Sequence, residues 1–200
     1  SFPIRDHFKP MVTSLVLLDK QIRQLKNLSH SLDRSFCDQF VVDSVSDSIS
    51  QLSDSRESIL KVALHDLYER IPETIFVKED ILGVGDMTLL FVLPLIYDHF
   101  DKFTVKQMIS FIGIAPVSYS SGTSVRRRSH ISYRGDNNVR RILFMSAISS
   151  VRGNPIIKEK FLSMVASSKP KKVALVAIMA HIFRAIIARL SYHSGRKTKR

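Results

Sequence analysis

Two hundred residues give room for one medium domain, or for a compact domain with an extended helical arm. An apolar share of 44% excludes a globally disordered chain, and a single cysteine, Cys37, excludes an internal disulfide framework and suits a reducing compartment. The net charge of +12 is uneven: residues 1–70 hold 9 Lys and Arg against 10 Asp and Glu, whereas residues 71–200 hold 21 against 8, a field that favours a polyanion such as nucleic acid.

Residues 11–34 read as a helix. Leu15, Leu18, Ile22, Leu25 and Leu32, with Ser29 in the missing step, form a heptad-like seam opposite Lys20, Arg23, Gln24 and Lys26. A second helix is expected from about Asp38 to Arg70, through Val41, Val45, Ile49, Leu52, Ile59, Leu60, Ala63, Leu64 and Leu67. Its middle is rich in Ser and Asp, so its intrinsic helix propensity is modest and it needs a partner. An antiparallel helical hairpin is the expected result, packing within the chain or between subunits.

Pro72 marks a break at the start of the basic region. EDILGVGDMTLLFVLPLI (79–96) places Gly83 and Gly85 between two apolar helical stretches, a pattern that resembles a helix-hairpin-helix element. Its glycines permit a tight turn whose backbone N–H groups can meet a phosphate; the same pattern also serves as a plain turn. The run Leu89–Tyr97 is too short to span a bilayer. A short helix is expected over Val105–Phe111, ending at Gly113 before Pro116.

The stretch SYSSGTSVRRRSHISYRGDNNVRR (118–141) reads as loop or short strand. Asp136 then caps a helix with Val139, Ile142, Leu143 and Ala147 on one face, and Asn154-Pro155 supplies the N-cap and first position of the next. The last helix, Lys171–Leu190, is interrupted by His181, Arg184 and Arg189 and therefore reads as a core helix, with His181 a packed core or interface residue. Residues 191–200 read as a disordered basic tail. The expected fold is mainly α: a hairpin arm over 1–70 followed by a compact helical domain over 71–190. No apolar leader opens the chain, so a soluble intracellular protein without a membrane partner is expected. A start at Ser1 rather than Met suits a processed chain or a piece of a longer one.

The seven histidines lack zinc-site spacing, and no paired-carboxylate motif, phosphate-binding loop or nucleophile elbow is present. Acidic residues are scarce in the basic region, which leaves it poorly equipped to hold Mg²⁺ alone. Chemistry therefore points to 118–141. Arg126, Arg127, Arg128, Arg134, Arg140 and Arg141 can grip phosphates, and Ser120 and Ser121 precede Gly122. A serine hydroxyl becomes a nucleophile only when it is oriented against an electrophile whose charge is stabilised; beside arginines, that electrophile is a phosphodiester. From the residues alone, turn-forming serines and a solvated arginine loop remain the plainer reading.

The order ILGVGDMT, FTVKQMISFIGIAP, SSG, ISYRGDNNVRRIL, NPIIKEKF and KPKKVALVAI, within about residues 71–190, resembles the C-terminal domain of one insertion-sequence transposase family. That family includes the Piv-type DNA invertases and pairs an N-terminal RuvC-like DEDD domain with a C-terminal serine-bearing domain. The resemblance implies DNA strand exchange in a prokaryotic cytoplasm or nucleoid, with Ser121 (Ser120 its less favoured neighbour) attacking a DNA phosphate. It implies backbone contacts from Arg134, Gly135, Arg140 and Arg141, Mg²⁺ held by the DEDD carboxylates, no cofactor in this chain, and a guide RNA as a possible second partner. It also likens 11–70 to a coiled-coil linker, and hence to an assembly arm for a homo-oligomer. Tyr133 stands where relatives commonly have lysine, and Thr123 where they often have a second glycine. Residues 1–70 offer neither the strands nor the carboxylates of a RuvC-like domain. The rival expectations are a non-catalytic helix-hairpin-helix nucleic-acid-binding module with a coiled-coil arm, and a coiled-coil oligomerisation protein.

Overall fold

The computed structural model describes residues 3–34, 37–117, 120–121, 125–126, 130–131, 135–196 and 198. The fold is mainly α, in two compact units, Ser1–Arg70 and Ile71–Arg200.

In the first unit α1 (Ile4–Leu32) packs on α2 (Gln39–Arg70). Phe8, Leu15 and Ile22, seven residues apart, are buried on α1, and Ala63 and Leu67 on α2. His7 bonds Asp66, and Arg56 Nε lies 2.5 Å from Asp19 Oδ1. Early residues of α1 thus meet late residues of α2, so the hairpin is antiparallel with its bend near Cys37. The expected seam is present, with Leu18, Leu25, Ser29 and Leu32 half-buried. Two helices cover each other on one side only, which is why so few of these positions close fully. The helix begins at Ile4 rather than residue 11, running through Pro10. Proline there removes one bond to a carbonyl in the first turns, and burial of Phe8 offsets that loss.

The second unit opens with α3 (Thr74–Asp80) and the Gly83–Gly85 turn into α4 (Asp86–His99). Thr88–Ile96 are buried without interruption, so α4 is a core helix that is apolar all round. α5 (Val105–Phe111) keeps its expected bounds and starts on a capping box: Thr104 Oγ1 accepts from Gln107 N, and Gln107 Oε1 accepts from Thr104 N. Four two-residue strands follow. β1 (Pro116–Val117) pairs antiparallel with β4 (His130–Ile131), and β2 (Ser120–Ser121) pairs with β3 (Val125–Arg126). Then come α6 (Asn137–Gly153), α7 (Pro155–Ala166) and α8 (Lys171–Ser194).

Asp136 Oδ1 accepts from Asn138 N and Val139 N, and Asn154 Oδ1 from Ile156 N and Ile157 N, as the sequence anticipates. α8 packs against α3, α5, α6 and α7 and buries Ala174, Ile178, Phe183, Ile186, Ile187 and Leu190. By length and composition alone it is the one described helix long and apolar enough to cross a membrane.

The expectation of a disordered tail from residue 191 needs correction. α8 runs to Ser194, Gly195 ends it with φ +68°, and Arg196 is drawn back onto the unit. Arg196 Nη2 lies 2.6 Å from Asp101 Oδ2, and its guanidinium sits 4.3 Å from the centre of the Tyr97 ring. An ion pair together with a cation–π contact holds this residue, a tertiary effect that composition does not reveal.

Candidate nucleic-acid interface

Helix α6 carries the geometry. Near its C-terminal end, Ser150 Oγ donates to Leu82 O at 2.9 Å, tying the glycine turn to the helix. Gly83 has φ +92°, and a Cβ there would fall 2.1 Å from Ser150 Oγ and 2.8 Å from Ser150 N. One turn back along α6, the Ser146 and Thr88 hydroxyls bond at 2.6 Å and fix α4 against it. Gly85 differs from Gly83. Its φ is −94°, it is the N-cap of α4 with no side chain to cap the helix, and a Cβ would meet nothing within 4 Å. A side chain at Gly85 would therefore stand in open space, and no side chain caps the N–H groups of the first turn of α4. Asp86, in that turn, pairs with Lys78 at 2.6 Å.

Between the turn and α6 lies a groove of about 500 Å³, lined by Gly83, Val84, Gly85, Met87, Thr88, Ile142, Met145, Ser146 and Ser149. Met145 and Ser149, which line it, belong to an exposed stripe of α6 that also carries Arg141 and Arg152 at helical spacing, so an arginine stands at each end of the stripe. They are separated by roughly 16 Å of helix, close to five steps of one DNA strand. Arg152 escaped the sequence reading, because only the position of the groove gives it a role.

The other anticipated residues are distributed as follows. β2 and β3 bring the backbone of Ser120 opposite Arg126 and that of Ser121 opposite Val125. Arg127, Arg128 and Arg134, together with Gly122, Thr123 and Tyr133, lie outside the described residues. Gly135 has φ +113°, and a Cβ there would come within 2.7–2.9 Å of the backbone of residues 111–113; the close approach of two chain segments requires glycine at this position. Arg140 turns inward, bonding Asn137 Oδ1 and donating to Ile112 O at 3.5 Å. Arg141 faces solvent. Among the described residues, no group of three or more His, Cys, Asp or Glu side chains could hold a metal ion.

This helix, its groove and the strands before it fall inside one stretch of the chain that known proteins share. Residues 79–162 match the transposase IS116/IS110/IS902 family. The matched region takes in the glycine turn, α4, α5, the strands and α6, and most of α7. The chain is 34% identical over 98 residues to the pilin gene-inverting proteins of Moraxella lacunata and of Moraxella bovis, covering 48% of this chain and 30% of each relative. It is also 26% identical over 150 residues to the insertion element IS110 uncharacterized 43.6 kDa protein of Streptomyces coelicolor, covering 75% of this chain and 36% of that one. The chain thus spans about a third of the length of these relatives.

Proposed function

We propose that this chain is the C-terminal part of an insertion-sequence transposase or recombinase that binds DNA and supplies a serine nucleophile for strand exchange. The observation that carries the reading is the match of residues 79–162, within which α6 holds the glycine turn through Ser150, borders the groove through Met145 and Ser149, and exposes Arg141 and Arg152 on the stripe beside it. In this reading a DNA strand follows that face. Arg141 and Arg152 hold phosphates at the two ends, and the uncapped first turn of α4 at Gly85 donates to one between them. Gly83 keeps the turn close to α6. Arg126, Arg127, Arg128 and Arg134 grip the backbone near Ser121, and Arg140 steadies the start of α6.

Ser121 Oγ attacks a backbone phosphorus, forming a phosphoseryl bond as the P–O bond to the departing strand breaks. The serine proton ends on the hydroxyl of the released strand. The phosphodiester energy is kept in the Ser121–DNA bond, and the reverse reaction can join a different strand. Arginines beside the phosphate stabilise the charge of the crowded phosphorus in the transition state. The described residues do not fit a divalent metal, so Mg²⁺ would be held by carboxylates outside this chain, in a DEDD domain. A guide RNA is a possible second partner in this scheme. The hairpin arm, with its half-buried seam over residues 11–70, would join copies of the chain in the prokaryotic cytoplasm or nucleoid.

The test is Ser121→Ala in the full-length enzyme. Strand exchange and the covalent protein–DNA adduct should vanish while DNA affinity stays within about twofold, since a hydroxyl adds little to backbone binding. An adduct that survives the substitution rejects Ser121, and Ser120→Ala is then the next variant to examine. A non-catalytic helix-hairpin-helix nucleic-acid-binding module with a coiled-coil arm is the second reading, supported by the glycine turn held on α6 and the exposed Arg141 and Arg152, with the serines as loop filler. It predicts DNA binding with no adduct in any context, including beside an intact DEDD domain.

A further inference from the structure

A second group of cations meets where α7 lies against α8. Lys160 Nζ is 3.2 Å from His181 Nδ1. An ammonium can only donate, so Nδ1 accepts and the ring proton resides on Nε2, which is then a donor as well. Arg184 stands one turn further along α8, on the outward stripe Ala177, His181, Arg184 and Ala188. Lys160, His181 and Arg184 thus present N–H groups and share no acceptor. Among the described residues, neither Lys160 nor Arg184 has a carboxylate partner.

The charged groups acting on the imidazole are Lys160 from α7 and Arg184 from its own helix; α3, α5 and α6, the other elements packed on α8, set no charge against it among the described residues. Burial and these two cations hold His181 below its ordinary pKa of 6.5. The neutral ring accepts from Lys160, but a protonated ring would add a third positive charge here, so the charged form is disfavoured until an anion enters.

The surroundings indicate which anion. Lys158, Lys169, Lys171 and Lys172 are exposed on α7, on the connecting turn and on the first turn of α8, and Glu159 is the single acid in residues 155–172. Lys171 and Lys172 crowd the end of α8 that already carries the positive pole of the helix, with no acidic residue in that turn. A small phosphate metabolite is usually enclosed. Lys160 and Arg184 are exposed and His181 is half-buried, so the site is open to solvent, which fits a polyanion laid across it.

We propose that Lys160, His181 and Arg184 bind a backbone phosphate of nucleic acid, as a contact separate from the α6 groove, with His181 taking up a proton as the phosphate arrives. The inference rests on the reading that the chain binds DNA, and adds to it a second contact and a pH response. The proton enters at Nδ1 and displaces the Lys160 hydrogen bond, so that Lys160 turns to the phosphate; the phosphate's charge offsets the three cations and raises the ring's pKa in the complex. Affinity therefore rises as pH falls through the interval between the bound and free pKa values and is flat outside it, with a steepest slope of about tenfold per pH unit for one proton.

The experiment follows binding of the whole chain to a fluorescent duplex of about 20 base pairs by anisotropy, between about pH 5.5 and 8.5 and over a salt series. His181→Gln should remove the gain at low pH and leave affinity at the alkaline end unchanged. His181→Arg should bind at the alkaline end as the unaltered chain binds at the acid end, without a pH response. Lys160→Gln and Arg184→Gln, both at exposed positions, should each lower the log–log salt slope by about 0.9. If the chain binds DNA but His181→Gln keeps the original pH profile and neither exposed variant changes the slope, the site is overturned and the groove reading stands. If the unaltered chain fails to bind duplex at any pH in low salt, the DNA reading falls and takes the site with it.

Discussion

At the scale of single residues, two glycines two positions apart have opposite characters. Gly83→Ala would force a Cβ into Ser150 and an L-residue into left-handed backbone, so it should destabilise the second unit by about 2–4 kcal/mol, read from denaturant unfolding. Gly85→Ala has room and an ordinary φ, and should change stability by less than about 0.5 kcal/mol. If a strand approaches the first turn of α4 as proposed, the added methyl would stand in its way, so a drop in DNA affinity without a change in unfolding midpoint is expected from the same protein. A Gly85→Ala variant that binds DNA as the parent does would remove the helix start from the interface. The sequence made both glycines visible as a turn. It could not separate their roles, because the residue that decides them, Ser150, is 67 positions away from Gly83 in the chain. Gly135 is similar: the resemblance marks it as a backbone contact, and the fold reveals a close crossing with residues 111–113.

Among the elements, those set by local chemistry were the most legible. The capped starts of α6 and α7 follow from Asp136 and Asn154-Pro155, and α5 keeps its expected bounds, because these signals act within four residues. Replacing Asp136 with alanine should destabilise the second unit by about 1 kcal/mol and fray the start of α6, with amide exchange rising at Asn138 and Val139. The start of α1 and the end of α8 depart from the expected bounds, because burial of Phe8 and capture of Arg196 are tertiary effects. The hairpin unit has its own acid response. Burial would raise the pKa of Asp66, but hydrogen bonds from His7 and Arg70, with their charges, outweigh it and hold the carboxyl below its ordinary 3.8. A depressed folded value means the stabilisation is present above the unfolded pKa and is lost as pH falls through the folded one. Thermal melts of Asp66→Asn should accordingly be less sensitive to acid below about pH 4 than those of the parent, at some loss of stability near neutrality. Leu28, Phe40 and Val41 are exposed on the hairpin, so if the arm joins copies, Leu28→Lys with Val41→Lys should shift the sedimenting species towards monomer. An unchanged distribution would exclude that part of the arm from the contact.

For the molecule as a whole, charge and fold converge on the second unit. Its excess of cations was plain from composition, but their division between the α6 stripe and the α7–α8 patch depends on how the helices pack. Arg141→Ala and Arg152→Ala should each reduce the salt slope of DNA binding by about 0.9, and by about twice that together, since each would release its own counterions. The position of α8 has one more consequence, for the order of events at synthesis. Every helix it packs against precedes it in the chain, and α3 lies about a hundred residues upstream. The hairpin can close as soon as α2 has emerged, its partners being neighbours. The second unit must wait for its last helix, a delay of roughly 6–25 s at ordinary elongation rates, during which the apolar flank of α4 has no finished core to enter. A nascent chain stalled before α8 should therefore present a folded arm and a chaperone-binding remainder.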